Sequence, residues 1–190
     1  MKRLIILLFL VVIVFNSGCA NQNESIKTTS TTTTVSSTES IVTDEFVNEL
    51  INLCRSNFEG LGNISKSPSS FNLGNSTDCQ YWEIDNYYHL SGCTIYKCSY
   101  IEPLDDVIKS EKEARSGIQD ISISKITIDG KDVMKIFINW GITYEVQCGN
   151  NYMFRTGTLS PTMSPIPNIG ISDPATNTIK QAIPICKSLS

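Results

Sequence analysis

Six cysteines, Cys54, Cys79, Cys93, Cys98, Cys148 and Cys186, a single histidine, His89, and two carboxylates spaced two apart, Glu83 and Asp85, are the residues of this chain whose types suit redox, acid–base or metal chemistry. The cysteines form no C-x-x-C pair, and one histidine cannot complete a Cys/His zinc set at the usual ligand spacing. An even count of six therefore reads as three disulfides, whose connectivity has fifteen solutions in sequence alone. Glu83 and Asp85 share one face if their segment is a strand, close enough to perturb each other or to hold a hard cation. Trp82 and Ile84 occupy the other face, so the pair is read as the wet side of an amphipathic strand. Ser122-Ile123-Ser124-Lys125 matches the S-x-x-K nucleophile tetrad. That tetrad works at a helix start beside S-D-N and K-T-G motifs; both are missing and the segment alternates like a strand, so the match is read as coincidence.

The remaining candidates are weaker. His89 would need a nucleophile and an orienting carboxylate to serve as a base, and no G-x-S-x-G is present, so it is read as an exposed turn residue. Gly60-x-Gly62 lacks the third glycine of a phosphate cradle and follows a helix instead of a strand. Asp105-Asp106 reads as charge placed at a helix start. Tyr81, Trp82, Tyr87, Tyr88, Trp140, Tyr144 and Tyr152 offer stacking surface, most of it expected in the core and the exposed part available for a ligand or partner. No catalytic residue, no metal ligand and no cofactor is assigned.

The address is written at the start of the chain. Lys2 and Arg3 precede an uncharged apolar run from Leu4 to Phe15, followed by Ser17-Gly18-Cys19. These 12 positions suit a secretory signal; spanning a bilayer takes about 20. The segment resembles the signal of bacterial and archaeal lipoproteins, whose lipobox ends in a small residue, then Gly or Ala, then the lipidated Cys; Asn16 stands where that family prefers Leu. The resemblance implies removal of residues 1–18, a lipid on Cys19, and a membrane-anchored protein facing outside the cytoplasm. An uncleaved N-terminal anchor through Ala20 is the alternative. Export also explains the disulfides, since no cytosolic thiol buffer would reduce them.

Loss of residues 1–18 removes Lys2 and Arg3 and no acid, which leaves 13 basic against 19 acidic residues, a charge of −6. No basic cluster is available for a polyanion, so nucleic acid is excluded as a partner. From Thr28 to Ser40, 11 of 13 residues are Ser or Thr. Residues 19–41 thus read as a disordered tether with a coil reach of about 25–30 Å. Its hydroxyls and the N-x-S/T triplets at Asn23, Asn63 and Asn75 are candidate glycosylation sites.

Residues 42–190 are read as one domain. Thr43 as cap, Asp44 and Glu45 in the first turn and Phe46, Val47, Leu50, Ile51, Cys54 and Phe58 at helical spacing predict a helix ended by Gly60. Leu61 to Thr77 reads as a long loop. Strands are predicted over 80–88 and 92–100 around a Ser91-Gly92 turn. Pro103 opens a second helix with Asp105–Lys109 and Glu111–Arg115 pairs, ended by Gly117. Four alternating strands between Ile121 and Leu159 turn at Asp129-Gly130, Trp140-Gly141 and Gly149-Asn150-Asn151. Pro161, Pro165 and Pro167 mark a loop, and Asp173-Pro174 opens a last helix kinked or ended at Pro184.

This order predicts an α+β domain, an antiparallel meander with helices packed on one face, stapled by disulfides. It resembles the small PsbP/Mog1-type domains. The functional expectation is a lipid-anchored, non-enzymatic module of the cell surface. Its partners would be the membrane, through Cys19, and an unidentified protein or surface ligand bound by the sheet's open face or edge. The alternatives are an enzyme with a carboxylate site at Glu83 and Asp85, with or without a metal, and a structural envelope protein. A deep pocket of acidic and polar groups would favour the enzyme, and a shallow exposed aromatic patch the binder.

Overall fold

The computed structural model describes residues 44–86, 91–160 and 173–189. Cys19, Asn23, the signal segment, the tether, Tyr87, Tyr88, His89 and most of the proline-bearing segment after Ser160 lie outside them. The chain order is α1 (Glu45–Asn57), β1 (Ser65–Lys66), β2 (Phe71–Leu73), β3 (Ser76–Asp85), β4 (Ser91–Lys97), α2 (Leu104–Ala114), β5 (Ile121–Ile128), β6 (Lys131–Ile138), β7 (Gly141–Cys148), β8 (Tyr152–Leu159) and α3 (Pro174–Lys187). The class is α+β, as expected. The eight strands are antiparallel, in the order β1-β3-β4-β8-β7-β6-β5, with β2 also on β3.

The predicted meander is present strand for strand. Asp129 and Gly130 take the positive φ values, 48° and 77°, that a tight hairpin turn needs. The next turn falls one residue earlier than expected, at Asn139-Trp140, because Gly141 already pairs with Ile138 and Leu159. Leu61 to Thr77 is not simply a loop. It holds β1, β2 and the start of β3, strands too short to show any periodicity in sequence.

Ser91-Gly92 is not a turn. Both residues belong to β4, and Gly92 pairs with Asp85 on one side and Gly157 on the other. A Cβ at Gly92 would sit 2.2 Å from the Ile84 carbonyl oxygen, so this glycine serves a close backbone approach inside the sheet.

α1 and α3 cover one face. Val47, Leu50, Ile51 and Cys54 of α1 and Ala175, Ile179, Ala182, Ile183 and Cys186 of α3 are buried against Ile84, Ile95, Ile142, Tyr144, Val146 and Phe154. Each large side chain buried there contributes about 1.5–3 kcal/mol. Cys54–Cys93 ties α1 to β4, and Cys148–Cys186 ties α3 to β7. The third disulfide, Cys79–Cys98, sits in a second cluster with Tyr96, Ile101 and Met153.

α3 runs on through Pro184 to Lys187, so Cys186 lies within the helix, not beyond it. Proline removes one N–H and its φ is already helical, and the Cys186 disulfide holds the last turn to the sheet. Asp173 caps this helix through the Thr176 amide, and its other oxygen accepts from the Thr176 hydroxyl, which meets the buried Tyr144 hydroxyl at 2.9 Å.

α2 departs from the expected arrangement by lying on the opposite face, against β5 and β6. Glu102 directs it there. Its backbone N–H donates to Ser76 Oγ, its carboxylate accepts from Asn75, and its carbonyl accepts from Gln147 Nε2 on the second face. Glu111 pairs with Arg115 as predicted, while Asp105 pairs across to Lys125 of β5. Among the described residues no helix is long and apolar enough to cross a membrane.

The cap of α1 is Asp44, whose side chain accepts from the Val47 amide. Its other oxygen accepts from Lys97 Nζ and from the Tyr152 hydroxyl, each at 2.8 Å, and Phe46 packs on the Tyr152 ring. Burial raises the Asp44 pKa, but the bonds from Lys97, Tyr152 and Val47 outweigh it and hold the carboxyl below its ordinary value. A depressed pKa contributes stability above the unfolded value and loses it as pH falls through the folded one. Urea unfolding of wild type and Asp44→Asn should therefore show a stability gap that is constant above about pH 5 and closes below about pH 4. A gap that widens on acidification would show that Asp44 plays no such part.

Candidate functional site

Strand register assembles the second face row by row. One row runs Glu83, Thr94, Arg155, Glu145, Met134, Lys125 across β3, β4, β8, β7, β6 and β5. The next runs Asp85, Gly92, Gly157, Thr143, Ile136, Ile123. A dip of about 140 Å³ opens in the sheet surface along these two rows, edged by Glu83, Asp85, Thr143 and Arg155.

Arg155 is the hub of this face. Two further hollows open against it, both roofed by α2. One, about 300 Å³, is walled by Ile121, Ile136, Ile138 and Trp140. The other, about 470 Å³, is bounded by the β2–β3 turn, by Val107, Ser110 and Glu111 of α2, and by Glu145, Met153 and Arg155 of the sheet.

Glu145 has no solvent exposure. Its Oε2 accepts from Arg155 Nε at 2.8 Å and lies 2.6 Å from Arg155 Nη2. Its Oε1 is buried and has no hydrogen-bond partner. Burial works against the charge of Arg155, and Glu145, Tyr96 and Glu111 together more than restore it, raising the pKa. The guanidinium carbon also stands 5.6 Å from the Tyr96 ring centroid, and burial raises the pKa of that phenol. A paired guanidinium and carboxylate under a helix roof can orient a polar ligand and strengthen its hydrogen bonds by excluding water.

The residues singled out from sequence scatter around this centre. Glu83 and Asp85 do face away from the buried Trp82 and Ile84, as expected, and they edge the smallest hollow. The S-x-x-K residues do not form a constellation. In β5, Lys125 points opposite to Ser122 and Ser124 and pairs with Asp105 at 2.8 Å and Asp132 at 3.6 Å. Gly62 donates its N–H to the Asp85 carbonyl, so the Gly60-x-Gly62 segment augments the sheet edge.

Trp82 and Tyr144 are core residues, and Tyr81 packs between Phe71 and Tyr96. Asn63 is exposed; Asn75, in the β2–β3 turn, gives its side-chain amide to Glu102 Oε1 at 2.7 Å. Among the described residues no group of three or more His, Cys, Asp or Glu is placed to hold a metal.

Glu145 and Arg155 were not candidates in the sequence, yet a signal exists. The two lie equidistant from the Gly149-Asn150-Asn151 turn, so hairpin register alone makes them cross-strand partners. Removing one partner should leave an uncompensated buried charge. Arg155→Met is expected to cost about 3–5 kcal/mol in urea unfolding. The double variant Glu145→Leu with Arg155→Met should cost much less than the sum of the singles. Additive losses would mean that the two charges do not depend on each other. Compared with family models, with curated proteins and with solved structures, the chain matches none, and the site stands on its geometry.

Proposed function

We propose that this protein is a lipid-anchored extracytoplasmic binding module that holds its ligand between α2 and the second face of the sheet. The observation that carries the reading is the convergence of three hollows on Arg155, with the buried Glu145 beside it. The largest falls within the volume range of small-molecule sites and mixes apolar walls with a few polar groups. The anchor rests on Ser17-Gly18-Cys19 after the charged and apolar start of the chain. Three disulfides support a compartment in which thiols oxidise. The flat aromatic patch that would suit a protein partner has no counterpart among the described residues, where the exposed large apolar side chains are Tyr100, Ile118 and Leu189.

A second reading, an enzyme, is the one that an acidic and polar hollow in place of an aromatic patch favours, and it draws as well on Glu83 and Asp85 sharing the small hollow with Arg155. It stands second because Glu102, Glu111 and Glu145 are each already engaged, by Asn75, Arg115 and Arg155 in turn. The two readings differ in the fate of the ligand. A bound module returns it unchanged, whereas an enzyme consumes it.

Two measurements test the proposal. The intact mass of protein extracted from membranes should begin at Cys19 with a lipid attached and gain two hydrogens per disulfide on reduction; an unprocessed mass overturns the lipid anchor and favours the uncleaved N-terminal one. In an NMR screen of the full chain against a mixed set of small polar compounds, hits should shift amides of α2 and β8 and be recovered unaltered. Hits confined to other surfaces would overturn the site, and recovery of a product would favour the enzyme.

A further inference from the structure

Glu145 Oε1 has two lone pairs, no solvent exposure and no partner within the protein. An acceptor left in that state costs about 1–3 kcal/mol, and more for a charged group. Both bonds from Arg155 go to Oε2, so the guanidinium does not relieve it. Glu145 lines the largest hollow, and the charges lining that hollow are three carboxylates, Glu102, Glu111 and Glu145, against the single cation Arg155. Glu102 is engaged by Asn75 and Glu111 by Arg115. The remaining wall includes Leu73, Val107 and Met153.

Resting on the reading of this hollow as the binding site, we propose that its ligand is a small organic cation with an apolar body. Oε1 is closed to a water-sized group while α2 is seated, so the ligand enters as α2, which buries only Ile108, shifts from the sheet. A primary ammonium or a guanidinium group then donates to Glu145 Oε1, and the alkyl portion lies along Leu73, Val107 and Met153. An N–H donor of positive charge satisfies the stranded oxygen with a charge-assisted bond and offsets the excess of negative charge in the lining. A carboxylate or phosphate placed there would meet three carboxylates in a site of low dielectric and is disfavoured. A single water takes about 10–15 Å³ of such space, a small part of the 470 Å³ present.

The test uses three probes with one alkyl body and different heads: pentylammonium, pentanoate and pentan-1-ol. Each is titrated into the full chain, disulfides intact, and followed by NMR shifts on α2, β7 and β8. Pentylammonium should bind about tenfold or more tightly than either other probe. Ser110→Trp, an exposed position on the α2 rim of the hollow, should fold normally and lose binding of the cation. Glu145→Gln should lose the preference for the cation while keeping weak binding of the alcohol; should that variant fail to fold, Ser110→Trp still decides the location. Tighter binding of pentanoate or pentanol, abolished by Ser110→Trp, overturns the cation and leaves the hollow as the site. Failure of all three probes to bind overturns both.

Discussion

Burial of a carboxylate in the middle of a sheet is the constraint around which the second face is arranged. Glu145 sits on β7, a strand covered on both sides, with Tyr144 and Val146 turned toward α1 and α3 and Glu145 turned toward α2. A charge in that position requires a partner, because desolvation of an isolated carboxylate costs far more than one domain can supply. The neighbouring strand provides one in Arg155. Beside the guanidinium, drawn down onto Oε2, the sheet surface holds the small dip edged by Glu83, Asp85 and Thr143. The roof over the pair is the remaining requirement, and α2 meets it.

The three helices are not held alike. α1 and α3 are each joined to the sheet by a disulfide, and their apolar faces form one continuous core. α2 has no such link. It buries Ile108 and is placed by the Glu102 bonds and by the Asp105–Lys125 pair, whose side chains are well exposed and individually worth little. Local opening is drawn from elements with few buried contacts, and here that element is the one roofing the polar hollows. Two disulfides thus staple one face of the sheet, while the other carries the helix with the fewest buried contacts.

How far the sequence could be read follows from which contacts are local. The meander from Ile121 to Leu159 is legible because each turn announces itself and each strand alternates; α1 and α3 are legible through caps and helical spacing. Thr43 and Asp44 are both good caps, and long-range bonds from Lys97 and Tyr152 are what settle the role on Asp44. Gly92 looks like a turn residue, and only the backbone passing at Ile84 and Asp85 shows it to be a strand glycine. The position of α2 is equally hidden. Its amphipathic stripe predicts a buried side, but which face of the sheet receives it depends on Glu102 reaching Ser76, Asn75 and Gln147 from elsewhere in the chain. Glu145 reads as an ordinary wet-face residue until that helix is in place.

An alternative view of the hollow is a packing defect under a loosely held helix, and the chemistry of its lining argues against it. A defect in an apolar layer is walled by apolar groups that failed to meet, and filling it with larger ones is the stabilising solution. Here the wall carries an ion pair with one oxygen unsatisfied, and replacing such a pair by well-packed hydrophobic residues is commonly neutral or stabilising. Stability alone therefore gives no reason to keep Glu145 and Arg155 together beneath α2. The ligand proposed above would give one, since a donor to Oε1 would recover as binding energy what is forgone in folding. The same account explains the size of the space: an acceptor waiting for a single water needs a niche, whereas one waiting for a molecule needs walls long enough to lie along.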